Sequence, residues 1–223
     1  MGYDLNFAVV WRNFDKIWGG LLLSLELAVL SIAIGIVIGL ALALAHVSGG
    51  RLVRGLIATY VETIRNVPLI LLVYLVFYGL PQVVDIRYGA TTSFVVTLSV
   101  YAGAYLVEVF RAGLEAIPGG LIDAGRALGL TPWQRFAHVR LPTMTRISLP
   151  ALSNTFISLF KDTSIASVIA VPELTWGAQW INLNTFRIVE AYLIATAMYL
   201  FTGYVLLFLL RLLEWRFRVT RNA

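Results

Sequence analysis

Five long apolar stretches separated by shorter polar ones set the pattern of this chain. The first runs from Ile17 to Ala45 with Glu26 as its single charge. As a helix rising about 1.5 Å per residue it would reach roughly 43 Å, more than a hydrocarbon layer of about 30 Å requires. The second, Gly55 to Leu80, is free of charge only from Val67 onward. The third begins at Gly89, stays uncharged to Val107 and is bounded near residue 110. The fourth, Ile147 to Val171, is interrupted by Lys161-Asp162, and the fifth is the uncharged run Ala191 to Leu210. The pattern predicts an all-α integral membrane protein: one transmembrane domain over 1–223 with five spanning helices. In the first span Gly35 and Gly39 offer a small-xxx-small face for close helix packing, although glycine is also tolerated against lipid.

One polar segment is long, Gly119 to Pro142. It reads as a short amphipathic helix in which Leu121, Ile122, Ala124, Leu128 and Phe136 form an apolar strip while Asp123, Arg126 and Arg135 stay wet. Asp123 is expected in the first turn, where a carboxylate suits the positive end of the helix dipole, and Pro132 is placed to open a second helical piece. Gly125 and Gly129, four apart, make a bare strip that another protein could approach; a solvated connector is the plainer alternative.

Composition agrees with the spans. Hydrophobic residues make up 59% of the 223 and charged ones 13%, with a mean hydropathy of +0.83, outside the range of ordinary globular proteins. The net charge of +5 comes from arginines beside apolar runs, which suits a membrane surface better than nucleic acid. Zero cysteine excludes disulfides, and His46 and His138 are too far apart to suggest a metal site. Met1 to Lys16 mixes charge and aromatics ahead of an apolar run too long for a signal h-region, so the first span is expected to stay in the mature protein.

Basic residues also orient the chain. Arg51, Arg54, Arg111, Arg126, Arg135, Arg140, Arg146, Arg211, Arg216, Arg218 and Arg221 fall on one side, against Arg12, Lys16, Arg87 and Arg187 on the other. The positive-inside rule then puts the amino terminus outside, the carboxyl terminus in the cytoplasm and the 119–142 loop on the cytoplasmic side.

Charges at depth are the candidate functional groups. Lys161 lies fourteen residues into the fourth span, about 21 Å along a helix, where each charge costs at least ~2.5 kcal/mol unless it meets water or partners. Helical neighbours point about 100° apart, so Lys161 and Asp162 can seek different partners in a central cavity, with the hydroxyls of Thr163 and Ser164 nearby. Glu62, Arg65 and Asn66 sit at or inside the boundary of the second span, Glu62 and Arg65 three apart on one face; Pro68 frees a backbone carbonyl there. Plainer readings are an interfacial ion pair at 62 and 65 and a buried network joining Lys161 or Asp162 to them or to a neighbouring subunit.

Asp123-Ala124-Gly125, then Gly129, Val139 and Leu141-Pro142, resembles the loop signature of ABC-importer permeases, "Glu-Ala-Ala, Gly, Ile, Leu-Pro". With Tyr60 to Pro68, Gly103 to Arg111, Asn154 and Lys161 to Ser164, the chain is similar to the polar amino-acid permeases, the histidine, glutamine, glutamate, arginine and opine class, from the first span to about Leu174. The resemblance implies a type I importer fold, with Asp123, Ala124, Gly125, Arg126, Gly129 and Leu130 on an ATPase-coupling helix. Lys161, Asp162, Thr163 and Ser164 match the family's midmembrane segment, and together with Glu62, Arg65 and Asn66 they are expected along the solute pathway. Expected partners are a cytoplasmic ABC ATPase dimer holding ATP and Mg, a second permease subunit, the same chain or a homologue, and an external or periplasmic amino-acid-binding protein, all at a bacterial plasma membrane. Asp123 shortens the family's glutamate by one methylene, and Gly125 in place of alanine lowers helix propensity by ~1 kcal/mol.

The chain itself carries no nucleotide loop: its lysines are Lys16 and Lys161, and neither is followed by Ser or Thr in a glycine-rich turn. A catalytic role is therefore not expected, and the chain has no G-x-S-x-G elbow. The rival reading is an ion-coupled secondary transporter or channel with Asp162 and Glu62 as proton groups; five spans and no internal repeat weigh against it. A purely structural anchor leaves the charges at depth unexplained.

Overall fold

The computed structural model describes residues 3–217. Arg218 and Arg221 of the basic tail lie outside the described residues. Among the described residues there are nine helical stretches and no strand. A short α1 (Ala8–Arg12) precedes the long α2 (Phe14–Ser48). Next come α3 (Arg51–Asn66), α4 (Leu69–Val84), α5 (Ala90–Glu115) and α6 (Gly119–Ala127). The chain ends with α7 (Pro132–Ile169), α8 (Leu174–Thr185) and α9 (Ile188–Phe217).

The α2–α5 pair is the spine, and small residues set its spacing. A Cβ built on Gly35 would stand 2.7 Å from the Ala102 Cβ, and one on Gly39 2.6 Å from the Leu106 Cβ. The Gly35/Gly39 face therefore packs against a helix, not lipid. Around it the core is continuous along the bundle. Val10, Ile17, Leu174, Ile181 and Ala191 fill one end, Leu27, Val73, Phe94, Leu98 and Leu159 the middle, and Ala43, Leu106, Phe110, Ile117 and Met144 the other. At the first end Glu190 ties down the amino-terminal segment: its carboxylate accepts from the Asn6 N–H at 2.8 Å and from the Tyr3 hydroxyl, and pairs with Arg187 at 3.3 Å.

Among the described residues three helices, α2, α5 and α9, are long and apolar enough to cross a bilayer alone; the count reaches five if two bent pairs each act as one span. The first bent pair corrects the expectation of a straight helix over Gly55 to Leu80. α3 and α4 meet at 103° across Val67-Pro68. Proline disfavours a helical Val67, which here is extended (φ −95°, ψ 132°), and has no N–H to continue the ladder; one helix stops and another begins. The fourth apolar stretch departs in the opposite sense. It starts as early as Pro132 and runs through Pro142 and Pro150, with a wide π-type turn at Phe136–Arg140. Past Asp162 the helix tightens into a 3-10 coil, Thr163–Ile169, which Ala170 closes with φ 58°. α8 follows at 42°, a helix the apolar pattern does not mark.

Candidate functional site: a polar hollow beside a surface helix

Helical spacing builds the hollow. Asn154, Ser158 and Asp162 recur every four residues and so share one face of α7; Tyr101 and Tyr105, also four apart, face them from α5. The two tyrosine rings lie 4.9 Å apart with their hydroxyls at 3.1 Å. Together with Thr155 and Leu159 these side chains enclose about 300 Å³, room for a small polar solute. Asp162 is half-buried at its wall and forms no ion pair among the described residues. The Arg65 guanidinium lies over the Tyr105 ring, 5.0 Å from its centroid, so α3 delivers a cation beside the hollow.

Not every predicted pathway residue gathers there. Lys161 turns away from Asp162 into a second hollow of about 350 Å³ against α9, among Ile157, Thr196, Tyr199 and Tyr204. A single central cavity shared by Lys161 and Asp162 is thus corrected to two, as a 100° step between helical neighbours requires. Thr163 is buried, and its hydroxyl donates to the Phe160 carbonyl at 2.7 Å, which withdraws it from any solute. Ser164 is half-buried and its carbonyl accepts from the Ser167 hydroxyl at 2.8 Å. Glu62 and Asn66 are exposed on α3, and the Asn66 amide donates to the Glu62 carbonyl at 2.7 Å. No ion pair joins Glu62 to Arg65 among the described residues, nor either of them to Lys161 or Asp162.

The structure adds groups that the sequence reading passed over. Tyr101, Tyr105 and Ser158 line the hollow, and their signal was the four-residue recurrence of polar side chains in otherwise apolar helices. Glu173 has no exposed surface and caps α8, accepting from Thr175 N–H at 2.9 Å and Trp176 N–H at 2.8 Å. It also accepts from the Tyr199 hydroxyl at 2.8 Å and the Ser24 hydroxyl at 3.3 Å, joining α2, α8 and α9.

At the far end of α5 lies α6, the first half of the polar loop. Its helix starts at Gly119, so Asp123 sits past the first turn and pairs with Arg126 at 2.8 Å; a dipole role for Asp123 is corrected to an exposed ion pair. Gly129 (φ 71°) ends α6: its N–H bonds the Arg126 carbonyl at 2.9 Å and that of Leu130 the Gly125 carbonyl at 3.1 Å, a Schellman closure. The bare Gly125/Gly129 strip is also corrected. Gly125 is buried under Arg135, whose Cγ would be 3.3 Å from an added Cβ, and Arg135 donates to the Leu130 carbonyl at 3.0 Å. Arg135 is therefore not fully wet. Of the expected apolar strip, Ile122 packs on the Phe110–Met144 core, whereas Leu121 and Leu128 stay exposed. Pro132 does open a helix, with Thr131 and Gln134 in a reciprocal capping box.

Comparison with known proteins covers nearly all of the chain. Residues 35–219 match the family described as binding-protein-dependent transport system inner membrane component. The glutamine transport system permease protein of Escherichia coli (strain K12) is 35% identical over 97% of this chain and 99% of its own length. The L-cystine transport system permease protein of Bacillus subtilis (strain 168) is 37% identical over 96% and 90%. A crystal structure of an amino acid ABC transporter with histidines superimposes with a TM-score of 0.88 at 33% identity, covering 96% of this chain and 100% of that one. The chain belongs to the binding-protein-dependent inner membrane components, the permease subunits of ABC transporters.

Proposed function

We propose that this chain forms half of the translocation pathway of an ATP-driven importer for a polar amino acid. Five crossings, counting each bent pair as one, leave the amino terminus outside and the carboxyl terminus in the cytoplasm. α6 then docks on a cytoplasmic ATPase that holds ATP and Mg, offering Asp123, Ala124, Arg126 and the exposed Leu128, with Gly129 and Leu130 fixing where the helix ends. An external binding protein delivers the solute and a second permease subunit completes the pore.

The observation that carries this reading is the polar face of Asn154, Ser158 and Asp162 opposite two tyrosines, around one hollow of the helix bundle. A desolvated carboxylate without a fixed counter-charge suits the ammonium of an amino acid, while tyrosine hydroxyls and Asn154 can hold its polar atoms. The relatives' names, glutamine and L-cystine, support the substrate class. Lys161 lies outside that hollow and is assigned to the α7–α9 groove. In proteoliposomes holding the permease, its ATPase and its binding protein, Asp162→Asn lowers uptake of the transported amino acid at least ~10-fold while assembly persists. Unchanged uptake would remove Asp162 from the pathway.

A further inference from the structure

Three acid–arginine pairs in this chain stand three residues apart on a helix with the acid first. Two are closed: Glu108–Arg111 at 2.7 Å and Asp123–Arg126 at 2.8 Å. The third, Glu62 and Arg65 on α3, has the same order and spacing yet forms no ion pair among the described residues. Arg65 turns instead onto the face of Tyr105, the ring that also lines the hollow. A stacked guanidinium keeps its N–H fork free at the edge, so it can still take a carboxylate in its plane. Both side chains are exposed, and Arg65 reaches the ring that walls the hollow. An open acid and an open base on one face are self-complementary under two-fold symmetry, where residue i meets j and j meets i.

We propose that Glu62 and Arg65 of one chain pair with Arg65 and Glu62 of a second copy of this chain, giving two identical ion pairs that gate the pathway beside the Tyr101–Asp162 hollow. The proposal rests on reading the chain as half of a pore and adds which copy completes it and how it closes. When the halves approach, the two pairs form at once and neutralise four charges; when they part, Arg65 falls back on Tyr105 and the passage opens. The cation–π contact supplies a resting place for the arginine in the open state, so neither state leaves it bare.

Two differently tagged wild-type copies, expressed with the ATPase and binding protein, are first purified through both tags in succession. They are expected to co-purify; failure to do so overturns pairing between copies, whereas loss of ATP-dependent uptake by the wild-type complex would instead overturn the half-pore reading. Next, Glu62→Arg and Arg65→Glu are each made alone. Each pore then faces like charges twice, and uptake falls at least ~10-fold. A mixed pore, one Glu62→Arg chain and one Arg65→Glu chain selected by the two tags, again matches opposite charges at both contacts, and uptake returns to within ~3-fold of wild type.

No pairing within a chain can be restored that way, because each mixed-pore chain carries two like charges. Failure of the mixed pore while the double reversal Glu62→Arg/Arg65→Glu transports would place the pair within one chain and overturn the proposal. If the reversed chains do not accumulate in the membrane, Glu62→Gln and Arg65→Gln replace them. The double variant is then expected to lose no more uptake than either single one, and additive losses overturn the gate.

Discussion

Glu173 accepts four hydrogen bonds with no exposed surface, two of them from the first free N–H groups of α8. Glu173→Ala strands those donors in an apolar interior and is expected to cost about 2–4 kcal/mol, read as a lower thermal midpoint in detergent; Glu173→Gln keeps the shape and one acceptor and loses less. Gly129 works by conformation alone. Its φ of 71° suits no β-branched residue, yet nothing lies within 4 Å of an added Cβ. Gly129→Val is therefore expected to cost about 1–2 kcal/mol locally and to abolish ATP-driven uptake by disordering the end of α6, with membrane insertion intact. Uptake that survives would show that α6 needs no fixed end to couple. Sequence marked Gly129 as a special position but not why. Glu173 gave no sign, since one acid after a proline looks like a loop until α2 and α9 close over it.

Between elements, the α2–α5 contact is the most extensive, and it rests on the absence of side chains at two positions. Gly39→Leu would drive a branched group into Leu106 and the backbone behind it, 3.0 Å from the Leu106 carbonyl carbon. A loss of about 1–3 kcal/mol or more is expected, measured against Gly19→Ala on the same helix, where nothing lies within 4 Å and stability should not fall. Helix identity was legible at this scale because a run of twenty apolar residues has few other fates in a membrane. Helix ends were not. Pro68 broke its helix, with 103° between the two parts, whereas Pro142 and Pro150 did not break α7. Extended backbone at Val67 leaves α4 to start afresh, while the π-type turn at Phe136–Arg140 absorbs the missing N–H groups around Pro142. A proline in the sequence therefore does not by itself fix where a helix ends.

For the whole molecule, the arginine imbalance and the bundle's connectivity lead to a testable orientation. The chain has no cysteine, so single introduced ones report cleanly. A cysteine replacing the exposed Asp4 is expected to react with an impermeant maleimide from outside intact cells, and one replacing Leu128, 79% exposed on the α6 end, only after the membrane is opened. The reverse pattern would invert the coupling surface and remove the proposed ATPase contact. Energy source separates the importer from an ion-coupled carrier. Uptake is expected to stop on ATP depletion and to survive collapse of the proton gradient, and the opposite result would favour the carrier.

Taken by itself, the sequence determined the helical class, the apolar spans and the family, because hydropathy and motif spacing are additive properties of a linear chain. Tertiary structure decided which charges meet. Asp162 turned to two tyrosines 57 and 61 positions earlier in the chain, Lys161 turned to α9, and Glu62 and Arg65 were left open while Glu108–Arg111 and Asp123–Arg126 closed. Such choices depend on distances between residues far apart in sequence, which exist only after the apolar faces have packed.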